Sequence, residues 1–353
     1  MTSLRPVQGA PREVLSLLRD WQAVEAEPPP VIIETSGSTG APKRVVLSRT
    51  AMRASASATE ARLGGPGQWL LNLPATYVAG VQVLFRSVLA GTTPVLLDEH
   101  ADFVSAVRAM DGVRRYVSLV PTQLTRMLAS PRHVEALWTF DTVLVGGAAV
   151  ESSLRKRAAD AGVHVVATYG MSETCGGCVY DGVPLDGVAV TVGTDGRVRI
   201  AGPVLFEGYD GREDLTSAAV RDGWFLTSDL GRLDDDGRLE VLGRIDDVIV
   251  SGGVKVPAPA VARRLREHPR VDAAEVLGVA DPEWGQRVVA VVVSQAGVAV
   301  RNVPPLDDLR NWVSQTLPRT WAPRQLFRVD EMPLLPNGKV DRVALQRAVD
   351  AVV

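Results

Sequence analysis

Two cysteines and four histidines in 353 residues leave little material for a metal centre. Cys175 and Cys178 form one C-x-x-C. A zinc site usually needs four ligands, and the sequence offers neither a second cysteine pair nor a suitably spaced histidine pair. A thioredoxin-like reading wants the motif at a helix start in a small βαβ domain, which this context does not provide. A structural or pocket-wall role is expected for the pair. An excess of basic residues is missing as well. The formal net charge is −3, which argues against general nucleic-acid binding. Any polyanionic ligand must therefore be held by local donors. No apolar run is long enough to span a bilayer, and no charged-then-apolar leader opens the chain. Neither membrane insertion nor export is expected, and a cytoplasmic location follows.

What is present is ordinary globular composition, with 46% hydrophobic and 22% charged residues, enough for a multidomain core. A short amphipathic helix, "REVLSLLRDW", precedes the extended linker "EPPP". From Val31 to about Ala167, apolar runs such as "RVVLS", "WLLNLP", "TPVLLD", "YVSLVPT", "TVLVGG" and "HVVATYG" alternate with helix-like segments. That alternation predicts a mostly parallel sheet with helices on its faces, and ligands at the carboxyl ends of its strands. After Asp181, the "TDG" and "DDDG" turns between short alternating runs predict an antiparallel β subdomain. Beyond Arg244 lies a joint, "IDDVIVSGGVKVPAPA", then an α+β unit ending in a helix from Asp341. There is no internal repeat and no low-complexity tract.

The stretch "TSGSTGAPKRVVLS" is the chemical centre of the sequence. Gly37 and Gly40 let backbone approach a phosphate, Ser36, Ser38 and Thr39 add hydroxyl donors, and Lys43 adds charge. The spacing is not that of a Walker A loop, and a solvated Ser/Gly turn explains this loop equally well on its own. Further segments shift the balance. "TYGMSE" follows a strand, "FLTSDLG" places Asp229 at a strand end, and "GRIDDVIVSGG" and "LPNGKVDR" follow in order, the last carrying Lys339. Each alone has a bland account, as a turn, a cap or a surface ion pair.

With these motifs in this order, the chain resembles the adenylate-forming superfamily of acyl-CoA synthetases, adenylation domains and luciferases, along nearly its whole length. "LPATYVAG", "VPTQL", "VLVGGAA" and "TYGMSETCGGCVYDGVPLDGV" are most similar to the o-succinylbenzoate–CoA ligase family of menaquinone synthesis, in its short actinobacterial form. The resemblance implies an α/β adenylate-forming fold. Residues 1–245 would form a large N-terminal domain that includes the antiparallel β subdomain. Residues 246–353 would form a small mobile C-terminal domain carrying the catalytic lysine. It implies ATP, Mg2+ and coenzyme A as cosubstrates and cofactor, a small carboxylic acid as partner, and no nucleic acid or membrane. The oligomeric state stays open, a homodimer included.

Residue by residue, the resemblance gives Thr35, Ser36, Gly37, Ser38, Thr39, Gly40 and Lys43 the β- and γ-phosphates. Gly147 and Ala148 would flank adenine and acyl group, with Tyr169 near the base. Ser172 would touch phosphate, Glu173 would ligate magnesium, Asp229 would bind ribose and Arg244 would contact the nucleotide. Asp246 matches the hinge, with Gly252 and Gly253 beside it lining the CoA channel. Lys339 would neutralise charge developing in adenylate formation. Thr76, Tyr77, Gln82, Thr122 and Gly146 fall in the acyl pocket, with Gln123 beside them and Arg86 expected to face solvent. Thr76-Tyr77 is a departure, since the family often has a histidine there. Three rivals remain open: another aryl- or acyl-CoA ligase, an enzyme that loads a carrier protein, and a nucleotide-binding relic. The relic would be expected to lose Glu173 or Lys339, and both are present.

Overall fold

The structure is a computed structural model that describes residues 6–35, 43–294, 304–333 and 340–351. The chain divides into two compact units. The first comprises Met1–Gly193, Val198–Thr227 and Leu233–Glu240, and the second Thr194–Arg197, Ser228–Arg232 and Val241–Val353.

The first unit opens with helix α1 (Pro11–Ala23), then strands β1 (Val31–Thr35) and β2 (Lys43–Leu47), and helix α2 (Arg49–Arg62), capped by Ser48. The alternating part follows as β3 (Gln68–Leu71), α3 (Val78–Leu89), β4 (Val95–Leu96), α4 (Phe103–Arg108) and β5 (Arg115–Leu119). It continues through α5 (Pro121–Met127), α6 (Pro131–Leu137), β6 (Thr142–Val145), α7 (Ser152–Asp160), β7 (Val165–Met171), β8 (Gly176–Tyr180) and β9 (Val183–Pro184). The strands form a seven-stranded sheet in the order β4-β3-β5-β6-β7-β8-β9. Pairing is parallel from β4 to β7 and antiparallel from β7 to β9. Apolar side chains alternate across it as a strand's two-residue period requires. Trp69, Leu71, Tyr116 and Leu144 join the layer under α1, α2 and α3, while Leu70, Val117, Val143 and Val145 join the layer under α4 to α7.

The structure corrects the sequence reading at "RVVLS". This segment is β2, which pairs antiparallel with β1 and with β12 (Gly208–Tyr209) in a separate three-stranded sheet, not in the parallel one. A lone apolar run does not reveal its partners, which here come from distant parts of the chain. Between β9 and β12, strands β10 (Ala189–Val192) and β11 (Arg197–Ala201) pair as a hairpin. After α8 (Glu213–Ala219), β13 (Val220–Arg221) and β14 (Trp224–Leu233) pair antiparallel, and β15 (Leu239–Arg244) follows the Asp234–Gly237 turn.

In the second unit, β16 (Val248–Ser251) and β17 (Val254–Pro257) form a hairpin, followed by α9 (Ala258–Arg266), β18 (Val271–Asp281) and β19 (Gly285–Ser294). Helix α10 (Leu306–Ser314), β20 (Gln325–Val329) and α11 (Arg342–Asp350) complete it. The valine-rich β19 is apolar on both faces because both are covered. Val288, Ala290 and Val292 pack with α9 and α10 residues, whereas Val289 and Val291 pack with Leu345 and Val349 of α11.

Candidate active site

The β1–β2 hairpin brings Thr35 opposite Lys43, and the Thr35 hydroxyl donates to the Lys43 carbonyl at 3.3 Å. These residues are the described ends of the glycine–hydroxyl loop. Ser36, Gly37, Ser38, Thr39 and Gly40 lie outside the described residues, as does Lys339.

Glu173 sits in a short turn, Ser172–Thr174, at the end of β7. The turn is built by Thr174, whose hydroxyl takes the Met171 N–H and donates to the Gly176 carbonyl at 2.7 Å. Cys175 completes it with a left-handed φ of 51°. Ser172 is buried and Glu173 half-buried. Gly170, two residues before Ser172, has to be glycine, because a Cβ there would stand 2.1 Å from the Gly176 carbonyl oxygen.

Two sequence-predicted residues, Lys43 and Glu173, converge on a third that the sequence reading missed. The Tyr209 hydroxyl donates to Glu173 Oε1 at 2.8 Å, and the Lys43 ammonium lies over the Tyr209 ring, 5.2 Å from its centroid. Tyr209 belongs to β12, whose pairing with β2 sets it beside Val45. Its backbone N–H donates to Thr216 and its ring packs edge-on against Phe206. The Phe206 N–H donates to the Glu173 carbonyl at 2.9 Å, so backbone and side chain hold the same turn. Burial first, and the Glu173 charge second, push the Tyr209 phenol well above its ordinary range, so it stays a proton donor. In the sequence, "EGYDG" reads only as the end of a β run, and nothing local marks Tyr209 as part of a site.

The remaining predicted positions of the first unit lie around the carboxyl ends of the strands. Gly146 and Gly147 follow β6. A Cβ on Gly146 would meet the Thr168 hydroxyl at 2.3 Å, and Gly147 has φ of 79°, so the loop demands both glycines. Gly147 and Ala148 are exposed, and Tyr169 is half-buried on β7. Tyr77, at the start of α3, is 57% exposed, with Thr76 half-buried before it. Gln82 is buried at 1% exposure; its amide nitrogen reaches the Met52 sulfur, and its Oε1 has no hydrogen bond among the described residues. Thr122 is exposed, whereas Gln123 donates to the Asn72 carbonyl and accepts from the Val120 N–H. Arg86 departs from expectation. It is 7% exposed with its guanidinium over the Trp69 ring, because α3 is covered on that face too.

Asp229, Arg244, Asp246, Gly252 and Gly253 belong to the second unit. Asp229 is half-buried on β14, and Arg244 lies 3.9 Å from the exposed Asp246. Gly252 and Gly253, with φ of 57° and 78°, are the two turn residues of the β16–β17 hairpin. Positive φ at both is what such a tight turn requires. The Gly252 N–H also donates to the Trp284 carbonyl at 2.8 Å.

Cys175 and Cys178 are both free and buried. Burial pushes the Cys178 thiol up to about 12 and raises Cys175 further. Among the described residues no group of His, Cys, Asp and Glu could hold a metal on its own. No described helix is long and apolar enough to cross a membrane.

A carboxylate pinned by a phenol, next to an ammonium at the foot of a glycine–hydroxyl loop, suits a nucleotide with its cation. Residues 10–202 match the family model described as AMP-binding enzyme, and residues 261–339 match the AMP-binding enzyme C-terminal domain. The chain belongs to the AMP-binding enzymes. Among relatives of this AMP-binding enzyme, a probable 2-succinylbenzoate–CoA ligase of Mycobacterium tuberculosis is 46% identical over 90% of this chain and 84% of its own. The 2-succinylbenzoate–CoA ligase of Bacillus anthracis is 30% identical over 99% of this chain and 75% of its own. Among solved structures, o-succinylbenzoate CoA synthetase from Bacillus subtilis with its acyl-adenylate intermediate superposes with TM-score 0.71 at 29% identity. That match covers 90% of this chain and 68% of that one. An amide bond synthetase from Marinactinospora thermotolerans gives 0.75 at 28% identity, covering 90% and 68%.

Proposed function

We propose that this AMP-binding enzyme is an o-succinylbenzoate–CoA ligase of menaquinone biosynthesis. The observation that carries the reading is the Lys43–Tyr209–Glu173 cluster, in a chain 46% identical to a relative named for this ligation. In the first half-reaction, a carboxylate oxygen of the acid attacks the α-phosphorus of ATP, and the bond to pyrophosphate breaks. In the second, the CoA sulfur attacks the acyl carbon, the bond to the AMP oxygen breaks, and the thiol proton passes to solvent. ATP and CoA are abundant in the cytoplasm, which is where the reaction belongs.

Thr35 to Gly40 and Lys43 bind the β- and γ-phosphates in this reading. Gly147, Ala148 and Tyr169 bracket adenine, Asp229 accepts from the ribose hydroxyls, and Arg244 contacts the nucleotide. Ser172 donates to phosphate. Lys339 stabilises the charge that builds on the attacking and α-phosphate oxygens. A hard divalent cation fits Glu173. Its Oε1 is fixed by Tyr209, and Mg2+ is commonly held by one or two carboxylates plus substrate phosphates and water. When bound, Mg2+ would supply charge neutralisation on the phosphate oxygens. The second carboxylate of the substrate needs polar partners, since burying it bare costs several kcal/mol. Thr76, Tyr77, Gln82 and Thr122 offer them, and Gly146 leaves room for a flat ring.

The Thr76-Tyr77 departure favours one rival, another aryl- or acyl-CoA ligase. The similarity to an amide bond synthetase keeps the thiol acceptor itself under test. Pyrophosphate release and AMP formation across a panel of carboxylic acids, with and without CoA, separate these readings. O-Succinylbenzoate should give CoA-dependent AMP formation with kcat/KM at least tenfold above benzoate or medium-chain fatty acids. An equal or better kcat/KM with a monocarboxylic aryl acid would overturn the assignment.

A further inference from the structure

We infer that Tyr209 is a positioning residue for Mg-ATP: its hydroxyl orients the Glu173 carboxylate towards the cation, while its ring face holds the Lys43 ammonium for the phosphates. The inference rests on the proposed ATP-dependent function, but not on which acid is activated. Its basis is the geometry of one buried side chain placed between opposite charges. The hydroxyl–Oε1 distance is 2.8 Å and the ammonium stands 5.2 Å from the ring centroid, within the range of a cation–π contact.

Glu173 and Lys43 do not form an ion pair with each other among the described residues; each is held by Tyr209 instead. A direct pair would neutralise both charges. Splitting them across a phenol leaves Glu173 Oε2 without a hydrogen bond, and the ammonium without an ion pair, among the described residues. A ligand that carries a dication and a polyanion together matches that separation. The aromatic anchor is rigid. β12 is fixed to β2 by backbone pairing, the Tyr209 N–H donates to the Thr216 hydroxyl, and Phe206 packs against the ring at 5.0 Å between centroids. A partner that orients a metal ligand in this way is commonly worth about 10- to 100-fold in metal affinity.

Equilibrium titration of ATP into the full chain, with and without Mg2+, tests the assignment in variants Tyr209→Phe, Tyr209→Leu and Glu173→Gln. Thermal melting of each reports folding. Tyr209→Phe keeps the ring and removes only the donor. It should reduce the Mg2+-dependent gain in ATP affinity about tenfold, while metal-free ATP affinity stays within about twofold of wild type. Tyr209→Leu also removes the cation–π face, so metal-free ATP affinity should fall as well. Added to Glu173→Gln, the Phe substitution should have no further effect on the Mg2+ gain. An unchanged Mg2+ gain in Tyr209→Phe would overturn the inference, as would equal losses with and without metal. Should wild type bind ATP but gain nothing from Mg2+, the magnesium role of Glu173 falls and this inference with it. Should it bind no ATP at all, the ligase reading itself fails.

Discussion

The Arg342 guanidinium donates to the Asp247 carboxylate at 2.6 Å, tying the first turn of α11 to the short turn that carries Asp246. The same side chain lies 3.8 Å from Glu275 and donates to the Val276 carbonyl at 3.3 Å. Burial raises the Glu275 pKa, and the charges of Arg342 and Arg266 partly oppose that rise.

Arg342→Ala should therefore destabilise the protein by about 1–3 kcal/mol, since it removes one of the two cations that offset the burial of the Glu275 carboxylate. The exposed side of the network adds little to that sum. A raised folded pKa means the Glu275 contribution favours folding below its unfolded pKa, near about 4.3, and is lost as pH rises through the folded value. Removing Arg342 raises that pKa further, so the deficit should be larger at neutral pH than at about pH 4. Urea unfolding of both proteins at the two pH values checks the sign. An equal deficit at both would show that Glu275 is not the cause.

Lys339 and Asp246 are expected to serve different half-reactions. Lys339→Ala should slow pyrophosphate release by about 10²-fold or more, as loss of one transition-state donor does, and spare CoA capture of a preformed adenylate. Asp246→Pro fixes φ at the proposed pivot and should make adenylate normally while forming thioester slowly. Gly252 and Gly253 are committed to a hairpin turn, which leaves Asp246 as the proposed pivot. Single-turnover assays of each half-reaction separate these outcomes; normal thioester turnover in Asp246→Pro would argue against a hinge at Asp246.

Gly170→Ala should cost about 3 kcal/mol or more, or prevent folding, because the new methyl meets a backbone carbonyl that cannot step aside. Gly211→Ala is the control. Its φ is 66°, but no atom lies within 4 Å of where the new methyl would stand, so only the left-handed backbone penalty of about 1–2 kcal/mol applies. Thermal melting of the pair should rank Gly170→Ala well below Gly211→Ala.

Native protein should resist thiol reagents at pH 8. Both cysteines are fully enclosed, and thiolate is the reactive species. With the Cys178 thiol pushed up to about 12 by burial, almost none is ionised at that pH. Mass spectrometry after brief labelling should find modification at Cys175 and Cys178 only once the chain is unfolded. Rapid labelling of the folded enzyme would contradict the burial of both thiols.

The sequence alone determined what depends on local pattern. Alternating strands and helices up to β7, the hairpins after Asp181, and the helix beginning at Asp341 are all present, because periodicity and turn residues act over a few positions. Motif order carried the family for the same reason, since a phosphate loop needs its glycines and hydroxyls adjacent in the chain. Only the tertiary structure decided which distant segments meet. It paired β2 with β1 and β12 rather than with the parallel sheet, and buried Arg86 against Trp69. It also delivered Tyr209 from a two-residue strand to Glu173, 36 positions away in sequence. Long-range pairings of this kind are set by which apolar faces and backbone edges can be covered together, a property of the whole chain that no short stretch records.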